Sequence, residues 1–193
     1  MTAIADGMSG GRYLRATLTT LLLVYGINLL WHPGFAIIDN VNLPIHETGH
    51  LVFAPFGEFV TALGGSLFQV AFPAVFVVYF MRRRDEHSAS VALWWVSQNL
   101  WNVAIYVADA QEQELPLVGG GEHDWAFLLA EMDILRRDDQ VAAMIRFVGT
   151  MLFVVSIVWG YRALFAATAD SVALGSDETE ASPSSSRTSS APK

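Results

Sequence analysis

Two stretches of the chain, 59–81 and 90–108, contain no Asp, Glu, Lys or Arg. Each approaches the roughly 20 residues with which an α-helix spans a bilayer. A third stretch, 13–31, is apolar apart from Arg15, and a fourth, 147–161, is uncharged between Arg146 and Arg162, whose long side chains can snorkel to the interfaces. Runs of this length constrain the fold more than any other feature, because a bilayer satisfies their backbone only as helices or as a closed barrel. The chain is 16% charged, against about 25% for a soluble domain. The expected fold is therefore all-α, an integral membrane bundle of about four transmembrane helices near 13–31, 59–81, 90–108 and 141–165.

The remaining composition excludes other classes. There is no cysteine, so neither a disulfide nor a thiolate metal site is possible. The formal charge of −8 resides largely in loops and tail. No basic stripe with interleaved aromatics is present, which argues against a nucleic-acid partner. Arg12 and Arg15 precede the first apolar run as in a signal peptide, but no small-residue cleavage site follows, so the run is expected to remain as a helix.

The arginines set an orientation. Arg12 and Arg15 precede the first run, and Arg82, Arg83 and Arg84 follow the second. By the positive-inside rule both clusters are cytoplasmic, so the first helix runs outward and 59–81 returns. The segment between them is then external, with 44–56 as a short helix dipping in from outside. The helix 90–108 runs outward again, 109–140 is an external loop, and the last helix returns, leaving both termini cytoplasmic. Eight of the eleven basic residues fall inside on this scheme. The membrane domain spans 1–169, and the Ser-rich 170–193 reads as an unfolded cytoplasmic tail. The protein is thus expected in a plasma membrane, with lipid as its surroundings.

Within the dipping segment the sequence reads N-L-P-I-H-E-T-G-H-L-V-F-A-P-F-G from Asn42 to Gly57. The pattern His46-Glu47-x-x-His50 places both imidazoles on one helix face, where they can offer ring nitrogens to one ion. Glu47, beside the first ligand, can then act as general base on a water at the metal. Pro44 is expected in the first turn with Asn42 as cap, and Gly49 leaves room for another backbone or a substrate. A pair of histidines hydrogen-bonded inside a bundle is the non-catalytic reading.

Catalytic zinc usually takes three protein ligands, and the orientation confines the third to the outer side. Asp109, where the third long helix emerges, and His123, after the run Gly119-Gly120-Gly121, are the candidates, with Asp124 beside them. His32 reads as part of an interfacial turn, and His87 falls on the cytoplasmic side. Gln98, Asn102 and Asp109 recur at spacings of four and seven along one face of 90–108, and Gln69 lies midway along 59–81. These amides are either helix–helix glue or groups that orient the ligating imidazoles or bind substrate, Asp124 included.

On "HETGH", on Gly64-Gly65 and on the helix-borne Asp109, the chain resembles the site-2 protease class of intramembrane zinc metallopeptidases. The resemblance covers about a third of the chain. It implies that His46 and His50 are zinc ligands, that Glu47 is the catalytic base and that Asp109 is the third ligand. The family's aspartate stands in an Asn-Pro-Asp-Gly or Leu-Asp-Gly context, whereas here the sequence is Ala108-Asp109-Ala110. The wider pattern is also similar to a group of uncharacterised bacterial membrane proteins, which implies a bacterial plasma membrane. The leading expectation is a zinc-dependent membrane hydrolase, a peptidase acting on a membrane-protein substrate. The alternatives are an amidase or lipid hydrolase of ceramidase type and a non-catalytic metal-binding scaffold. A di-iron desaturase would need more ligands than the five histidines present.

Overall fold

The computed structural model describes residues 2–115 and 122–180 and is all-helical over them. Its helices are α1 (Thr2–Trp31), α2 (Asp39–Phe53), α3 (Glu58–Arg82), α4 (Glu86–Ala108), α5 (Asp124–Glu131) and α6 (Asp138–Glu180), with 3₁₀ turns at Ala54–Phe56 and Leu135–Arg137. Three stretches are helical, long and apolar enough to cross a membrane: Gly10–Trp31, Glu58–Arg82 and Leu135–Phe165. Their outer faces carry exposed apolar side chains such as Leu21 and Val24 on α1, Val75 and Val78 on α3, and Phe147 and Val158 on α6. The interior, by contrast, buries Asn42, Gln69, Ser97, Gln98 and Asn99. Apolar outside and polar inside suits a hydrocarbon solvent, in which buried polar groups bond to one another.

The segment 90–108, expected as a fourth crossing, is helical within α4 but falls outside those three. Its serines and amides lower its hydropathy, and it lies at the centre of the bundle rather than at its edge. Ser97 donates to the Gly149 carbonyl of α6 at 2.8 Å, and a Cβ at Gly149 would meet Trp101 at 2.9 Å. On the other side Trp94 Nε1 donates to the Leu22 carbonyl of α1 at 3.0 Å. Arg146 on α6 donates to the Leu30 carbonyl at 2.9 Å, capping α1 with a cation where its dipole favours one. The Asp85 carboxylate accepts from Ser88 N and starts α4. The Ser88 hydroxyl, which donates to Asp85 Oδ2 at 2.7 Å, leads in holding that carboxyl below its ordinary range against the cost of burial, with the Ser88 N–H and the charges of Arg15 and His87 adding to it.

The expected 44–56 helix begins earlier, and Asn42 is inside it rather than capping it. The cause is Asp39. Its Oδ2 accepts from Ala36 N at 2.7 Å, while its Oδ1 accepts from Asn42 Nδ2 at 2.9 Å and from Gln98 Nε2 at 2.8 Å. Asn42 Oδ1 in turn accepts from Trp95 Nε1 at 2.9 Å. This closed set of bonds fastens the first turns of α2 to α4 and leaves Pro44 inside the helix. Gly57, at φ 95°, then turns the chain into α3, a backbone conformation that glycine adopts without strain.

The expected loop 109–140 contains α5, and α6 starts at Asp138, whose carboxylate accepts from Gln111 Nε2 at 2.6 Å. At its other end α6 continues to Glu180, past the expected start of the tail. The rest of that tail, 181–193, and the glycine run at 119–121 lie outside the described residues.

The α2–α3 pair meets at glycines. A Cβ at Gly49 would collide with the backbone carbonyl of Gly64, and one at Gly64 would come within 2.7 Å of Phe53 Cβ. The partner that Gly49 admits is thus another backbone. Gly49→Ala is expected to destabilise the protein by about 1–3 kcal/mol through overpacking, read as a lowered Tm in detergent. Gly34→Ala, where nothing lies within 4 Å of the added atom, should leave the Tm unchanged.

Candidate metal centre

His46 and His50 occupy one face of α2, as their spacing requires, with rings edge to face at 4.8 Å between centroids. Each ring is fixed from behind. His46 Nδ1 lies 3.0 Å from Gln69 Oε1 on α3. Gln69 Nε2 donates to Asn102 Oδ1 on α4 at 2.8 Å, which leaves the Gln69 oxygen as acceptor and so puts the proton of His46 on Nδ1. His50 Nδ1 lies 2.8 Å from the Thr61 carbonyl, which can only accept, so its proton is on Nδ1 as well. Both Nε2 lone pairs are thereby free to ligate, the tautomer that metal-bound histidines adopt.

The two Nε2 atoms face one carboxylate. Asp124 Oδ2 lies 3.2 Å from His46 Nε2 and 3.3 Å from His50 Nε2. Ligand atoms of His46, His50 and Asp124 all fall within 4.8 Å of one another, so the group could hold a metal ion. Gly65 supports the fit. A Cβ there would lie 2.5 Å from His46 Nε2 and 2.6 Å from His50 Nε2, so the missing side chain keeps the space before both donors open. Electrostatics agree. The Asp124 carboxylate raises His50 to about 9 against the cost of burial. Burial opposes the charge on Asp124, yet hydrogen bonds from His46 and His50 hold it down to about 2. The carboxylate thus favours a cation between itself and the imidazoles: a proton on a ring Nε2 or, with both Nε2 atoms deprotonated, a metal ion.

Asp124 reaches this position through the docking of α5. It stands in the first turn, where the helix dipole favours a carboxylate. The next residue, Trp125, donates from Nε1 to Ser66 Oγ on α3 at 3.0 Å, and Leu128 and Leu129 are fully buried against Val107 and Ala142. Tyr106 on α4 completes the hold, donating its hydroxyl to Asp124 Oδ2 and accepting from Asp124 N, each at 3.2 Å.

The expected third ligands stand elsewhere. His123 Nε2 faces Asp109 Oδ2 at 3.3 Å, and the two residues organise the loop between α4 and α5. Asp109 accepts from Glu114 N at 2.9 Å and Leu115 N at 3.1 Å. His123 caps α5 by accepting from Ala126 N at Nδ1 and stacks on Tyr106 at 4.3 Å. A side chain at the cap folds back over its own helix, whereas the next residue points across to α2, so Asp124 rather than His123 joins the cluster. Asp124, expected beside those two candidates and among the orienting or substrate-binding groups, supplies the third donor of the cluster. Gln69 and Asn102 lie behind His46, where orienting groups belong. Gln98 accepts from Asn42 Nδ2 at 2.8 Å and serves the α2–α4 junction instead. His87 is near Thr19 Oγ1, at 3.1 Å, at the opposite end of α4. Tyr106 carries a signal that sequence reasoning missed, since 98, 102 and 106 continue one helix face at intervals of four.

Around the cluster lies a cavity of about 1050 Å³, lined among others by His46, Glu47, His50, Gln69, Asn102, Tyr106 and Asp124. Glu47 is exposed to it. Asp124→Asn should weaken metal binding sharply in a titration of purified protein, while Asp109→Asn should leave it near the wild type. Gln69→Leu, which frees His46 Nδ1 from its acceptor, should raise the metal Kd about 10–100-fold.

Comparison with protein-family models, with curated proteins and with solved structures finds no match for this chain, so a functional reading rests on the geometry just described.

Proposed function

We propose that the protein is a zinc-dependent membrane hydrolase that cleaves an amide or ester bond with Glu47 as general base. The observation that carries this reading is the convergence of His46 Nε2, His50 Nε2 and an Asp124 oxygen, with Glu47 on the wall of the same cavity. Two imidazoles and one carboxylate form a donor set typical of catalytic zinc, which leaves a position for water. A zinc ion held there would supply Lewis acidity, lowering the pKa of a water and polarising a carbonyl oxygen. Glu47 takes the proton of the attacking water and passes it to the leaving group. Gln69, Thr61 and Tyr106 keep the three ligands in register throughout, so little reorganisation accompanies the reaction. For a scaffold that only stores metal, Glu47 would have no comparable task beside His46.

The membrane arrangement belongs to the same proposal. We place α4 as a fourth crossing, sheltered by the three apolar helices, with both termini cytoplasmic and the cluster towards the external side. The arginines at 82–84 support that orientation through the positive-inside rule. The chain has no cysteine, so single cysteines report topology cleanly. In intact cells a membrane-impermeant maleimide should label Glu112→Cys and spare Arg84→Cys. The opposite pattern would invert the orientation.

The hydrolase reading is tested at Glu47. Glu47→Gln should bind zinc as the wild type does, because both histidines and Asp124 remain. Its turnover on a cleaved substrate should fall by about 10² or more, the usual contribution of a general base. His46→Ala should lose zinc and activity together. Full activity in Glu47→Gln would overturn the mechanism.

A further inference from the structure

The cavity has a shape and a chemistry of its own. Along α2 it touches Asp39, Leu43, His46, Glu47 and His50, and, at the turn that follows, Ala54, positions that continue one helix face. From 39 to 54 that face extends about 22 Å at 1.5 Å per residue, with the metal cluster near its middle. The cavity is therefore a groove, and its volume of about 1050 Å³ stands at the upper end of the roughly 300–1,000 Å³ of small-molecule pockets. Apolar side chains make up much of the wall, including Phe35, Leu43, Ile105, Leu115 and Phe127.

The polar groups on that wall are mostly engaged already. Gln69 is held by His46 and Asn102, Asp39 by three donors, and Tyr106 by Asp124 in both directions. Thr61 donates back to Gly57 and lends its carbonyl to His50. Among the described residues, Asn102 Nδ2 is the amide donor on this wall outside those bonds, while Glu47, Glu58 and Glu122 only accept. An extended peptide filling about 22 Å would bring roughly six N–H and six C=O groups, and each one left unpaired costs free energy. No strand offers a pairing edge among the described residues. An acyl chain makes no such demand, and a groove of this length exceeds the roughly 15 Å depth of one leaflet of hydrocarbon. Charge narrows the occupant further. Among the described residues no Lys or Arg lines the groove, and Glu47, Glu58 and Glu122, which are not part of the cluster, disfavour an anionic headgroup on its occupant.

We infer that the groove takes a single-chain acyl amide or acyl ester without an anionic headgroup, its chain along α2 and its carbonyl at the His46–His50–Asp124 cluster. The inference rests on the hydrolase reading for what happens at that carbonyl. There, the water oxygen bonds to the acyl carbon and the carbon–nitrogen or carbon–oxygen bond breaks. The leaving amine or alcohol takes the proton that Glu47 removed, and the second product is a fatty acid.

Binding separates the occupant from the chemistry. Full-length Glu47→Gln protein, zinc-loaded in uncharged detergent, is titrated with a fluorescent acyl amide in competition with three probes. These are N-hexadecanoyl ethanolamine, hexadecanoic acid as its anion, and an apolar hexapeptide blocked at both ends. The neutral amide should compete at least about tenfold better than the other two. Leu43→Glu should weaken the amide by a similar factor with zinc content unchanged. Glu58→Gln combined with Glu122→Gln should narrow the gap between amide and acid. A hexapeptide that binds as well as the amide, an acid that binds as well, or no binding of the amide overturns the inference. Should the amide bind selectively yet remain intact with wild-type protein, the hydrolase reading fails and the occupant stands. Cleavage of peptides alone would do the reverse.

Discussion

The approach of α2 to α3 governs the rest of the molecule. Because Gly49 and Gly64 lack side chains, the two helices meet backbone to backbone, and the imidazoles of α2 arrive over a third glycine, Gly65. A larger residue at 65 would occupy the space before both Nε2 atoms. The same glycines that permit tight helix packing therefore create the opening at the ligands. In a membrane this economy matters, since helices there associate through close van der Waals contact and internal hydrogen bonds rather than through expulsion of water.

Around that contact the polar interior divides into two sets with different tasks. One comprises Asp39, Asn42, Gln98 and Trp95 and fixes the start of α2 on α4. The other runs from His46 through Gln69 to Asn102 and from Asp124 to Tyr106, and fixes how the donors of the candidate metal centre face each other. Both sets end on α4, which explains why this helix is polar and central while its neighbours are apolar and peripheral. A helix that must anchor two networks carries too many amides and serines to resemble a lipid-facing span.

Local periodicity was enough to read much of this from the residues. Apolar runs marked the long helices, and the four-residue spacing of His46 and His50 put both imidazoles on one face. Polar residues recurring along 90–108 announced a helix face turned inward, and Gln69 and Asn102 were already visible as groups that could orient a ligand. Each of these depends on the geometry of a single helix, which covalent structure and backbone sterics repeat wherever a helix forms.

The third donor of the candidate cluster depended on something else. Asp109, His123 and Asp124 are all acidic or imidazole side chains near the same end of the bundle, and spacing along the chain does not rank them. Their roles were decided by how α5 docks: Trp125 on Ser66, Leu128 and Leu129 in the core, and His123 turned back as a cap. Likewise Asn42 looked like a helix cap until Asp39 and Gln98 closed around it. The sequence by itself determined a helical membrane-type chain with a two-histidine, one-glutamate motif, because those features are local. Only the tertiary structure chose Asp124 and shaped the groove, because both arise where α2, α3, α4 and α5 meet, and contacts between distant segments have no signature in the spacing of either one.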